Sequence, residues 1–105
     1  MTGKHTDIEI AVHALCQGAS AAAAKDGRLI GAATGQGVAP LLQILRDIGE
    51  SARAAAFADK VVGKAAAMIL VDARAGIVHA SVMSRPAADL LEQHGIAFSA
   101  GEIVD

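Results

Sequence analysis

Apolar positions recur at helical spacing near the start of the chain. Ile8, Ala11, Val12, Leu15 and Cys16 form one stripe over residues 7–17, Thr6 or Asp7 can cap it, and Gly18 is a stop signal. Residues 1–5 read as a loose tail. Residues 19–25 and 28–34 flank Asp26-Gly27, a pair that favours a tight hairpin turn. The turn signal favours two strands, while a run of alanines by itself favours helix over 19–25. Gly35-Gln36-Gly37 leads into Pro40, and Leu41, Ile44, Leu45 and Ile48 make one face of a helix that Gly49 ends. Residues 50–58 are a helical turn or a connector.

The next stretch, residues 58–71, begins polar and closes as an unbroken apolar run. It predicts a central helix, buried on every side, with Asp59 at its N-cap. After a turn at 72–76, Ile77–Met83 reads as a strand apolar on both faces, the mark of an interior strand covered on two sides. Ser84 can cap a helix over 85–94, with Ala87, Leu90, Leu91 and His94 on its inner face and Gly95 as its stop. Residues 96–99 read as a final strand. Strand–helix–strand units imply right-handed crossovers. The expected architecture is therefore α/β: a small mixed sheet with helices on both faces, in a single domain spanning residues 1–105.

Composition narrows the function. The chain has 105 residues, 53% of them hydrophobic, and a formal net charge of −2, which argues against a nucleic-acid binder held by bulk charge. Phe57 and Phe98 are the only aromatic residues, so no stacking platform for single strands is on offer. A single cysteine excludes an internal disulfide, Asp7 and Glu9 stand where a secretory leader needs apolar residues, and no apolar run approaches a membrane span. A cytoplasmic protein is expected. Cys16 lies on an apolar stripe and reads as a buried, inert thiol. His79, inside a strand, reads as a core histidine.

The candidate chemistry gathers at the start of the central helix. Lys60 and Lys64, four apart, would share a helix face near the positive pole of the dipole, where each is disfavoured by roughly 0.3–1 kcal/mol. A bound anion would relieve both, and Gly63 would let it approach. Solvated lysines are the plainer alternative. Gly35 and Gly37 could add backbone N–H groups, although the loop is neither a Walker loop nor a dinucleotide fingerprint, and a tight turn into a helix is the plainer account of it. Ser84 could add a hydroxyl. Lys64, if desolvated, could act as base or nucleophile.

Asp59-Lys60-Val61-Val62-Gly63-Lys64-Ala65-Ala66-Ala67 resembles the signature of the domain-of-unknown-function 1893 family, which is placed in the cytidine-deaminase-like superfamily. Lys25-Asp26-Gly27, Gly37 to Leu42, and Ser84 followed by Leu90 to Ile96 extend the resemblance over roughly residues 15–98. The resemblance implies a three-layer α/β/α fold of the cytidine-deaminase type, and with the turn signal it makes residues 19–25 a strand. It also implies basic residues where this chain has Gln36 and Ala39. Zinc deamination needs a His or Cys ligand with a catalytic Glu at one helix start and Pro-Cys-x-x-Cys at the next. Here those places read Gly63-Lys64-Ala65 and Ser84-Arg85-Pro86-Ala87-Ala88-Asp89, with no ligand at either. The leading expectation is a domain binding a small anionic ligand, phosphorylated or nucleotide-like, through Asp59, Lys60, Gly63, Lys64, Gly35, Gly37 and Ser84, with no metal and no cofactor. The competing expectations are a homodimeric interaction module without a small ligand and a metal-free enzyme using Lys64.

Overall fold

A computed structural model describes residues 4–105. In chain order it contains α1 (Lys4–Cys16), β1 (Ala21–Lys25), β2 (Arg28–Ala33), α2 (Ala39–Ile48), a 3₁₀ turn (Gly49–Ala52), β3 (Ala56–Val62), α3 (Lys64–Asp72), β4 (Ile77–Ser84), α4 (Arg85–Gln93) and β5 (Ala97–Val104). The five strands form one sheet in the order β2-β1-β3-β4-β5. β1 is antiparallel to β2 and β3, while β3, β4 and β5 run parallel.

The hairpin forms where the turn signal placed it. Asp26 and Gly27 both take positive φ, 55° and 79°, the left-handed pair that a tight turn between twisted strands requires. β1 is four alanines and a lysine, and the alanines are fully buried. Small side chains let helices approach this strand from both sides. One layer, made of α2, α3 and α4, seals the main core through Leu41, Ile44, Leu70 and Leu91 over Phe57, Val78 and Met83. On the other face α1 lays Ala11 and Ala14 on Ala22, Ala24 and Ala58. The result is the expected three-layer α/β/α arrangement, with three helices on one side and one on the other. No helix among the described residues is long and apolar enough to cross a membrane.

Several expectations are corrected. The predicted central helix is split: Ala56–Val62 is the middle strand of the sheet, and the helix begins only at Lys64, with Gly63 as its N-cap. Asp59 and Lys60 therefore belong to a strand, and Lys60 and Lys64 do not share a helix face. Burial between β1 and β4 outweighs the helix preference of these alanines. Cys16 is exposed, because α1 turns its alanines, not its thiol, to the sheet.

Part of the expected N-terminal tail lies outside the described residues, but helix α1 already includes Lys4 and His5. Asp7, expected as a cap, sits inside that helix, buried, and its carboxylate accepts the Gly27 N–H at 2.8 Å. The last strand runs to Val104, well past Ser99, because it pairs with the whole of β4. His94 is exposed at the C-cap of α4, where its backbone N–H closes the last turn. β4 is covered on one face only along much of its length, since α1 packs mainly on β1 and β3; His79 is half-buried there and its Nδ1 lies 2.8 Å from Ser99 Oγ.

Candidate functional site

Parallel strands β3 and β4 end beside the starts of α3 and α4, and such strand ends are where open α/β sheets form their clefts. At the end of β3 the chain makes a sharp entry into α3 through Gly63, whose backbone is extended (φ −94°, ψ −175°). Gly63 carries no side chain, so no cap bond satisfies the first amides of α3; the first intrahelical bond runs from Ala67 N–H to Gly63 C=O at 3.0 Å. A side chain at Gly63 would meet open space.

That space is a cavity of about 490 Å³. Its walls are the end of β3 (Asp59, Lys60, Val61), the start of α3 (Gly63, Ala65, Ala66), the loop before α2 (Gly35, Gln36, Gly37, Val38), and Ser20. Ser20 Oγ shapes the loop side, donating to Gly35 C=O and accepting from Gly35 N–H, both at 3.1 Å. On the opposite side the ladder of β1 and β3 is extended by Lys60 N–H donating to Ser20 C=O at 3.1 Å.

Asp59 is the chemical centre of this cavity. It is 7% exposed, and its Oδ1 accepts a long bond, 3.4 Å, from Val61 N–H. Burial pushes its carboxyl up from 3.8 to about 6, and the backbone amides of Val61 and Lys60 offset only part of that rise. A carboxyl poised there can release or take a proton near neutral pH and can accept a bond from a ligand.

The structure brings together Asp59, Lys60, Gly63, Gly35 and Gly37 and leaves out two of the expected residues. Lys64 is exposed and lines a separate cleft of about 240 Å³ against Pro86, Asp89, Leu90 and Gln93 of α4. An exposed ammonium lacks the desolvation that an amine nucleophile depends on. Ser84 is occupied as the N-cap of α4, its Oγ accepting Ala87 N–H at 3.2 Å. Ser20, Gln36 and Val38 complete the wall and were not anticipated. Pairing Ala21 with Ala33 sets Ser20 beside the residues leading to Gly35, and that register follows from a shift between Ala23 and Ala24 that leaves no signal in the sequence. Among the described residues, no group of three or more His, Cys, Asp or Glu side chains is placed to hold a metal ion.

The sheet order, the helix layers and the cleft at the start of α3 together define an α/β protein of the deaminase-like fold. Two solved structures of Acinetobacter baumannii RibD, form 2 and form 1, share that fold, with TM-scores of 0.65 and 0.62 at 22% and 23% identity. Each match covers 93% of this chain, which spans about a third of RibD, 34% and 33%. The chain belongs to the TM1506 family, the domain of unknown function DUF1893, whose family model matches residues 10–105. The crystal structure of a DUF1893 family protein from Thermotoga maritima superposes with a TM-score of 0.82 at 26% identity, covering 99% of this chain and 69% of that one. No curated protein matches.

Proposed function

We propose that this chain binds a small ligand in the cavity between the end of β3, the start of α3 and the Gly35–Gly37 loop. The observation that carries the reading is the Asp59 carboxyl, nearly buried, weakly bonded and held near a pKa of about 6 on the cavity wall. Such a group costs stability wherever it ionises, which a fold keeps where a ligand makes use of it. The ligand carries an anionic group that meets Lys60 and the uncapped amides of α3, and a hydrogen-bond donor that meets Asp59. The expected anion site thus loses Lys64 and Ser84 and keeps Asp59 as an acceptor in place of a helix cap, so the ligand is mixed in character, not purely anionic.

Thermal-shift titration of a panel of phosphorylated and zwitterionic metabolites tests this. A true ligand raises the melting temperature by mass action. Asp59→Ala and Lys60→Ala abolish that rise, while Lys64→Ala keeps it. A ligand whose effect survives both Asp59→Ala and Lys60→Ala binds elsewhere and overturns the reading.

A homo-oligomeric interaction module is the second reading. It rests on apolar side chains left exposed at the ends of β3 and β5: Val61, at 62% exposure, with Ile103 and Val104. Light scattering decides it, since a strict monomer at tens of micromolar removes this reading.

A further inference from the structure

The end of the sheet opposite the Asp59 cavity gathers a different chemistry. Three connections meet there: the one into β3, the α3–β4 turn and the α4–β5 turn. Each contributes one basic residue, Arg53, Arg74 and His94, to the lining of a single concavity of about 500 Å³ that contains no carboxylate. Lys25 adds a fourth basic residue close by, its Nζ donating to Arg53 C=O at 2.8 Å.

The backbone under these residues is laced. Ala54 N–H donates to Arg74 C=O at 2.9 Å, and Gly76 N–H donates to Ala55 C=O at 2.8 Å. Ala54 and Arg74 both hold left-handed backbone, φ 64° and 62°, a strained conformation for residues with a Cβ. The two arginines therefore project from neighbouring, fixed positions. Glu50 and Asp72 line the adjoining hollow that shares Arg53 and Arg74, yet neither reaches ion-pair distance of a guanidinium. Among the described residues the only ion pair is Arg85 with Asp105, far along the chain at the other strand ends.

The carboxyl ends of α3 and α4 tolerate cations here, because their free carbonyls carry partial negative charge. They do not explain why two arginines from separate loops line one hollow whose lining has no carboxylate, in a chain whose net charge is negative. Guanidinium forks match the paired oxygens of phosphates and carboxylates. We propose that this hollow is a second binding site, for a compact dianion held by Arg53 and Arg74 with His94 at its rim. It is separate from the Asp59 cavity and does not depend on it.

The experiment is thermal-shift titration of the full chain with inorganic phosphate and with succinate, at constant ionic strength set with sodium chloride. The variants are Arg53→Gln/Arg74→Gln, Arg53→Lys/Arg74→Lys and Lys60→Gln. Both arginines are exposed, and circular dichroism confirms that the variants fold. Saturable stabilisation of the parent by one of the two anions is expected. The glutamine pair weakens the apparent affinity by at least about tenfold, and the lysine pair recovers part of it. Phosphate but not succinate acting identifies a phosphate site; the reverse identifies a dicarboxylate site. The proposal is overturned if neither anion acts beyond the chloride control up to about 10 mM. It also fails if the glutamine pair responds like the parent, or if Lys60→Gln removes the response.

Discussion

The Asp7 carboxylate, inside the first helix, accepts the backbone N–H of Gly27 at the tip of the hairpin, at 2.8 Å. This bond fixes α1, the sole helix on its face of the sheet, to the turn that begins the strand pairing. Replacing Asp7 by Ala leaves a part-buried donor without its charged acceptor and is expected to cost about 1.5–3 kcal/mol. Urea denaturation at neutral pH measures it, and Asp7→Asn, which keeps an acceptor, should lose less.

Asp59 sets a pH dependence. Its folded pKa, about 6, lies above the unfolded value of 3.8, so the folded chain keeps a proton that the unfolded chain has released. Stability therefore declines as pH rises from about 4 to about 6, and the deficit persists above that window. A shift of this size corresponds to at most about 3 kcal/mol. Asp59→Asn should match the parent near pH 4 and exceed it in stability by about 1–3 kcal/mol at pH 8. Parallel melts at the two pH values check the sign: a variant less stable than the parent at pH 8 refutes it.

Gly76 faces the Ala54 carbonyl so closely that an added Cβ would stand 2.6 Å from the oxygen. That neighbour is backbone and cannot swing aside, so Gly76→Ala should destabilise by about 1–3 kcal/mol. Ala54→Gly, which relaxes left-handed strain in the same contact, should be neutral or gain up to about 1 kcal/mol. Chemical denaturation of both variants tests whether this lacing is as tight as its geometry.

Ser84→Ala removes the cap of α4 and should cost about 1 kcal/mol. It should leave binding at the Asp59 cavity unchanged, since the hydroxyl is already engaged with Ala87 N–H. Loss of ligand response at temperatures where the variant is fully folded would return Ser84 to the site.

Much of the architecture was legible in local chemistry. Asp26-Gly27 announced the hairpin, Pro40 and Gly49 bracketed α2, and Ser84 with Pro86 opened α4. The family resemblance then supplied the layer arrangement. What local chemistry concealed was β3. Ala56 to Val62 carries helix-forming alanines, and only its place between two other strands makes it extended. Gly63 was the available clue, since glycine inside a helix costs about 0.5–1 kcal/mol against alanine and instead marks a boundary. Missing that boundary assigned Asp59 to a cap and set Lys64 beside Lys60. A cavity does lie beside Gly63, but its walls are built from a strand end and a loop instead of one helix start. The wall contributed by Ser20 depended on a register shift between Ala23 and Ala24 that sequence periodicity does not disclose.

Helix α1 shields β1 and β3 but leaves much of β4 and β5 bare on its side of the sheet. The molecule should thus have a slow half and a fast half. Amides of Ala22–Ala24 and Phe57–Ala58, screened from both directions, should exchange with deuterium only on full unfolding. Those of β5, on the outermost strand, should exchange by fraying long before the rest of the sheet lets go.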